Sequence, residues 1–137
     1  MKGIVLAFAL ICVVSSPGPR PQAQAGQNVD YDTFCKLPDA QAKRTAFLAT
    51  SSENRAVLVR TQIERWRDAN RARLSDKQLS ALADLIAAIT PDTYGEGPKA
   101  EEARVKARPL AEAQRTLFTN DEIQAMQPNG PCIAKVK

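Results

Sequence analysis

Three cysteines and no histidine decide most of what chemistry this chain performs. Without imidazole, neither a Ser/His/Asp nor a Cys/His catalytic set can be assembled, and histidine-ligated zinc, copper or iron is excluded with them. The serines at 51, 52, 75 and 80 fall at helix starts or on helix faces, with no base beside them in the composition. Asp68-Ala69-Asn70 opens with the spacing of a calcium loop. Ala72 then stands at the next ligand position, and neither the turn glycine nor the terminal glutamate follows. Asp30 and Asp32 read as helix-start acids, Glu53 as a cap partner and Glu64 as an ion-pair partner, which leaves no carboxylate pair for hydrolysis. There is no glycine-rich phosphate loop and no G-x-S-x-G. The residue types therefore imply a protein with no catalytic, cofactor-binding or metal site, one that acts by contact.

What must hold such a surface begins after residue 25. Lys2 supplies a positive start, and Gly3 to Val14 form an apolar run of about twelve residues, short of the roughly 20 needed to cross a bilayer. Pro17, Gly18, Pro19 and Pro21 break any helix beyond it, and Ala23-Gln24-Ala25 gives the small-x-small pattern that precedes a cleavage point. Residues 1–25 thus read as a signal peptide cut between Ala25 and Gly26, with Cys12 discarded and residues 26–137 forming a single domain. The expected location is secreted or periplasmic. The chain of 137 residues carries +4; loss of Lys2 and Arg20 from 19 basic residues leaves 17 against 15 acids, a net of +2. Mixed charges at +2 give no field for nucleic acid. A charged fraction of 25% is ordinary for a globular protein.

Two cysteines remain, Cys35 and Cys132, one near each end of the domain. They lack C-x-x-C spacing, and two thiols without histidine do not make a zinc site. In an oxidising compartment the pair reads as one disulfide closing a loop of almost the whole domain. The chain-entropy argument gives such a loop about 4–5 kcal/mol as an upper bound.

The elements read as helices throughout. Asp30 to Lys36 forms a short helix with Tyr31 and Phe34 on one side; Pro38 starts a second, running through Ala40–Ala49 with Phe47 and Leu48. Thr50-Ser51-Ser52-Glu53 matches a capping box, with Thr50 as cap and Glu53 as its return partner, opening a long helix from about Ser51 to Arg71. In it Ala56, Val59, Ile63 and Trp66 make one apolar stripe, and Arg60, Glu64, Arg67 and Arg71 a solvated, ion-paired face. Ser75 and Gln78 repeat the capping logic ahead of the stripe Leu79, Leu82, Ile86 and Ile89. Residues 90–98 are turn-rich and, as the most open loop, the place where Tyr94 could contribute to binding. Lys99 to Phe118 presents Ala103, Ala107, Leu110 and Leu117 on one side, with a kink or restart expected at Pro109. Thr119-Asn120-Asp121-Glu122 caps a last short helix through about Ala125, and Pro128-Asn129-Gly130-Pro131 turns to deliver Cys132. The tail from Ile133 to Lys137 is expected to fray or lie along the surface. No stretch has the period-two alternation of a sheet. The expected fold is all-α, a bundle of about five helices with Phe34, Phe47, Trp66 and Phe118 in its core, closed by one disulfide.

Two patterns carry family resemblances. Residues 31 to 94 combine F-x-x-L at Phe34 and Leu37 with F-x-x-x-S-x-E-N-[KR]-A-x-L, carried by Phe47, Ser51 or Ser52, Glu53, Asn54, Arg55 and Leu58. L-[ST]-x-x-Q at Leu74 and Gln78 follows, then I-x-P-x-x-Y ending in Pro91 and Tyr94. This resembles the exported bacterial proteins called fulvocin C-related, a bacteriocin-like group; Cys132 stands alone where a cysteine-rich tail would lie. The resemblance implies an exported, non-enzymatic protein that engages an unknown protein or membrane partner, with Trp66 as the aromatic anchor of the stripe that would do so. LSDKQ at Leu74–Gln78 is also similar to the L-T-x-x-Q motif of Spy-type periplasmic chaperones, with FTNDE at Phe118–Glu122 as a degenerate second copy. That resemblance implies a stress-responsive holdase with a basic, partly apolar binding face.

Overall fold

A computed structural model describes residues 28–137, and among them the chain is all-α, with six helices and no strand. They are α1 (Tyr31–Cys35), α2 (Ala40–Ala49), α3 (Ser52–Asn70), α4 (Asp76–Ala88), α5 (Pro98–Leu117) and α6 (Asn120–Ala125). Two single 3-10 turns, Arg71–Arg73 and Pro91–Tyr94, follow α3 and α4. The signal segment, its cut between Ala25 and Gly26, and Cys12 lie outside the described residues.

Short polar side chains set the helix starts. Asp30, Asp39, Ser51, Ser75 and Thr119 each accept a backbone N–H from the first turn of the helix they precede. Ser75 with Gln78 and Thr119 with Glu122 complete reciprocal capping boxes. The start of α3 differs from its sequence reading. Ser51, not Thr50, is the cap, and it receives the amide of Asn54 at 3.2 Å. Glu53 is exposed, and Thr50 is buried with its hydroxyl accepting from Asn54 Nδ2 at 2.8 Å. The polar run offers several hydroxyls in a row, and packing selects which one turns inward.

Pro109 does not end or restart α5, which is continuous from Pro98 to Leu117. Pro109 and Val105, whose carbonyl the proline leaves without an N–H partner, are both exposed, so the gap in the ladder faces solvent. At the other end, Gly97 has φ 88°, a left-handed conformation that lets the chain turn directly into Pro98.

Helix α3 runs through the middle and buries two faces. Ala56, Val59, Ile63 and Trp66 form the expected stripe, packed with Leu74, Leu82, Ile89, Phe118 and Met126. Trp66 and Phe118 meet edge to face at 5.7 Å. The second face, Asn54, Leu58, Gln62 and Arg65, is covered by the two ends of the domain. Leu58 packs with Tyr31 and Phe34 in a separate apolar cluster. The amide of Asn54 also donates to Val29 O at 3.0 Å. Arg65 stacks over the Tyr31 ring at 4.2 Å, pairs with Asp32 at 2.9 Å and donates to Ile133 O at 3.0 Å. On the third side, Arg67 pairs with the adjacent Asp68 at 2.9 Å; Arg60, Glu64 and Arg71 form no ion pair among the described residues.

Gln62 is the hinge of the covered face. It is 1% exposed, accepts from the Tyr31 hydroxyl, and donates to Ala125 O at 2.7 Å and Pro131 O at 3.0 Å. Tyr31 Oη in turn accepts the amide of Ile133 at 3.2 Å. The tail is therefore anchored through Ile133, with Ala134 to Lys137 exposed. Gly130 makes the approach feasible: a Cβ there would lie 2.8 Å from Ala125 O and Gln124 O and 2.9 Å from Gln127 O. The Cys35–Cys132 disulfide then closes the same junction, with Cα atoms 5.7 Å apart across 97 residues of sequence.

Gln62→Leu keeps the volume but strips partners from Tyr31 Oη and the carbonyls of Ala125 and Pro131. It is expected to cost about 2–4 kcal/mol, seen as a lower urea midpoint at unchanged slope. A loss below about 0.5 kcal/mol would show that the junction is held by the disulfide and apolar contact alone.

Candidate functional site

The residues singled out from sequence separate into different environments. Cys35 and Cys132 form the clasp. Trp66 is 4% exposed, flanked by Phe118 and overlaid by Arg73 at 5.3 Å from the ring centre. It is a core residue and presents no surface to a partner. Tyr94 is half-buried and lines a cavity. The turn-rich loop read as residues 90–98 holds the tight turn Pro91–Tyr94, which packs against α3 and α5 as a wall of that cavity.

The cavity has a volume of about 230 Å³ and opens between α3, α4, α5 and α6. Val59 and Ile63 of α3, Leu85 of α4, Ile89, and Ile123 and Met126 at the other end supply most of its apolar surface. Ala107 and Ala111 of α5 keep one side open by their small size. No charged side chain lines it. The Tyr94 ring stands edge-on to Phe47 at 5.8 Å, and burial pushes its phenol from 10.0 up to about 12. Thr93 is occupied locally, its hydroxyl accepting from the Thr90 amide at 3.1 Å.

Of the polar residues in this wall, Thr93, Tyr94, Gln114 and the exposed Gln127, only Gln114 is fully buried. It is 4% exposed, and its Nε2 donates to Ala81 O at 3.3 Å and Leu110 O at 3.1 Å. Two carbonyls facing one end of the amide fix which end is nitrogen. That leaves Oε1 buried with no hydrogen-bond partner among the described residues. An unpaired buried acceptor costs about 1–3 kcal/mol, against which stand the two bonds that Nε2 makes. The signal was present in the sequence: Gln114 falls in register with Ala107, Leu110 and Leu117, the apolar side of α5.

A second, shallower recess lies beside the clasp, lined by Phe34, Lys43, Arg44, Phe47 and Pro128 among others. It is basic and partly apolar. The residues carrying the two family patterns have local structural duties. Arg55 donates to Phe47 O at 2.9 Å and to Leu48 O, closing the end of α2. Besides its capping bond, Gln78 donates to Leu117 O at 2.9 Å, tying α4 to the end of α5. Glu122 pairs with Arg73 at 2.6 Å; its carboxyl is held below the usual range first by the Thr119 amide and then by Arg73. Comparison with known protein families, curated proteins and solved structures found no match for this chain.

The Tyr94 shift fixes a sign. Between pH 10 and about 12 the folded chain keeps a proton that the unfolded chain has lost, so stability should fall as pH rises through this window. An ultraviolet titration should resolve a phenol ionising near pH 12 that Tyr94→Phe removes. Retention of that late step in the variant would place the buried hydroxyl elsewhere.

Proposed function

We propose that this is an exported, non-catalytic binding protein, and that its binding site is the cavity between α3, α4, α5 and α6. The observation that carries the reading is the cavity of about 230 Å³ itself, uncharged and mostly apolar, with Thr93, Tyr94, Gln114 and Gln127 as its polar lining residues. A small number of polar atoms placed in an apolar concavity is the usual form of a small-molecule site. Export is supported by the signal-like residues 1–25 and by the Cys35–Cys132 disulfide, a bond that persists in oxidising compartments. No helix among the described residues is long and apolar enough to cross a membrane. A contact-acting exported protein is also what the fulvocin C-related resemblance implies, although the stripe through Trp66 that would engage a membrane lies in the core.

A second reading, a periplasmic holdase of the Spy type, is favoured by the basic recess at Lys43, Arg44, Phe34 and Phe47. One pair of assays on the oxidised chain separates the two. Saturating toluene is expected to raise the melting temperature, through selective binding to the folded state, and Ala107→Phe, which fills the cavity, is expected to abolish the rise. No shift with toluene, together with suppression of aggregation of a denatured client at near-stoichiometric amounts, would replace the cavity reading by the holdase.

A further inference from the structure

The recess beside the clasp differs from the cavity in the sign of its lining. We propose that it is a second binding site, and that it takes a small organic anion, a carboxylate carried on an aromatic ring or a short apolar tail. It shares no lining residue with the cavity between α3, α4, α5 and α6, so the inference goes beyond that reading and does not rest on it.

The walls come from the two segments that the disulfide joins. Cys35 leads into α2, which contributes Lys43, Arg44 and Phe47; Cys132 follows the turn that contributes Pro128 and Asn129. Phe34, at 2% exposure, adds its ring from α1. Two aromatic rings and a proline thus border a space of about 310 Å³ whose opposite sides are covalently linked. A cavity of roughly 150 Å³ holds benzene, so this one has room for a ring with a short substituent.

Charge selects among such guests. No Asp or Glu lines the recess. Lys43 is half-buried, yet among the described residues its Nζ has only Cys132 Sγ, at 3.5 Å, as a partner. Sulfur is a weak acceptor. Arg55, Arg65 and Arg67 are half-buried too, and each donates to an oxygen. Arg44 is exposed and forms no ion pair among the described residues. The neighbouring acid, Asp39, turns its carboxylate to the Ala42 amide as the cap of α2. Two adjacent cations without a counter-ion therefore stand at a concavity with an apolar floor. A cationic guest is repelled there, a neutral one leaves the charges unanswered, and an inorganic anion leaves the rings wet. An apolar carboxylate meets both features.

3-Phenylpropionate, its neutral amide and acetate separate charge from apolar contact. Chemical-shift titration of the oxidised chain at low salt is expected to show 3-phenylpropionate binding about fivefold more tightly than the amide, the modest gain of pairing near a surface. Acetate should bind more weakly than 3-phenylpropionate, and the shifts should centre on Lys43, Phe47 and Asn129. The preference over the amide should shrink at about 1 M salt and vanish in Lys43→Gln/Arg44→Gln. The wild-type comparison decides the question even where that variant fails to fold. Equal affinities for acid and amide, or a preference for the amide, would overturn the anion assignment. Acetate binding as tightly as 3-phenylpropionate would overturn the apolar contact. Shifts confined to Thr93, Gln114 and Met126, or no binding at all, would overturn the second site, and none of these results touches the toluene test of the cavity.

Discussion

The buried amide of Gln62 is the constraint on which this fold depends. A carboxamide at 1% exposure, in the middle of α3, is tolerable only if every hydrogen-bonding atom finds a partner. The partners it finds are Tyr31 from the start of the domain and the carbonyls of Ala125 and Pro131 from its end. Hydrogen-bond satisfaction on α3 thus forces the two ends together before any covalent bond is considered. The disulfide sits at a junction that the polar network already defines, and Arg65 bridges the same two segments through Asp32 and Ile133. Removing one partner of such a network exposes the others to the full cost of burial without a bond.

This arrangement explains what was legible from the residues alone and what was not. Helix starts were readable because capping is local: Ser75–Gln78 and Thr119–Glu122 need only their own four residues. The apolar stripes of α3 and α4 were readable because periodicity marks a buried face. The disulfide followed from a cysteine count. The failures came where tertiary packing arbitrates between locally equivalent groups. Thr50 and Ser51 are interchangeable as caps until Asn54 must also reach Val29. Gln62 and Gln114 stand in register with buried neighbours, but residue type gives no sign of their burial because glutamine is usually exposed. Of the kink or restart expected at Pro109, the restart is absent, because the gap it leaves faces solvent and that placement is a tertiary fact.

The two buried glutamines make an instructive contrast. Both lie on apolar helix faces, and both have their amide nitrogens engaged by two backbone carbonyls. Gln62 has its oxygen satisfied by Tyr31 and serves the architecture. Gln114 has its oxygen buried and unpaired, while its nitrogen ties α5 to α4 through Ala81 O. The sequence patterns that carry family resemblance fall on caps, on core positions such as Phe34, Leu58 and Leu74, on Arg55 at the end of α2, and on the Pro91–Tyr94 turn, so they describe the scaffold.

The most direct measurement is hydrogen exchange at the backbone amide of Ile133, which donates to Tyr31 Oη and so reports the junction without altering it. If the Gln62–Tyr31 network unites the two ends, this amide exchanges as slowly as the centre of α3, although it lies outside any helix. Exchange at the rate of a free terminal segment, with α3 fully protected, would contradict the account.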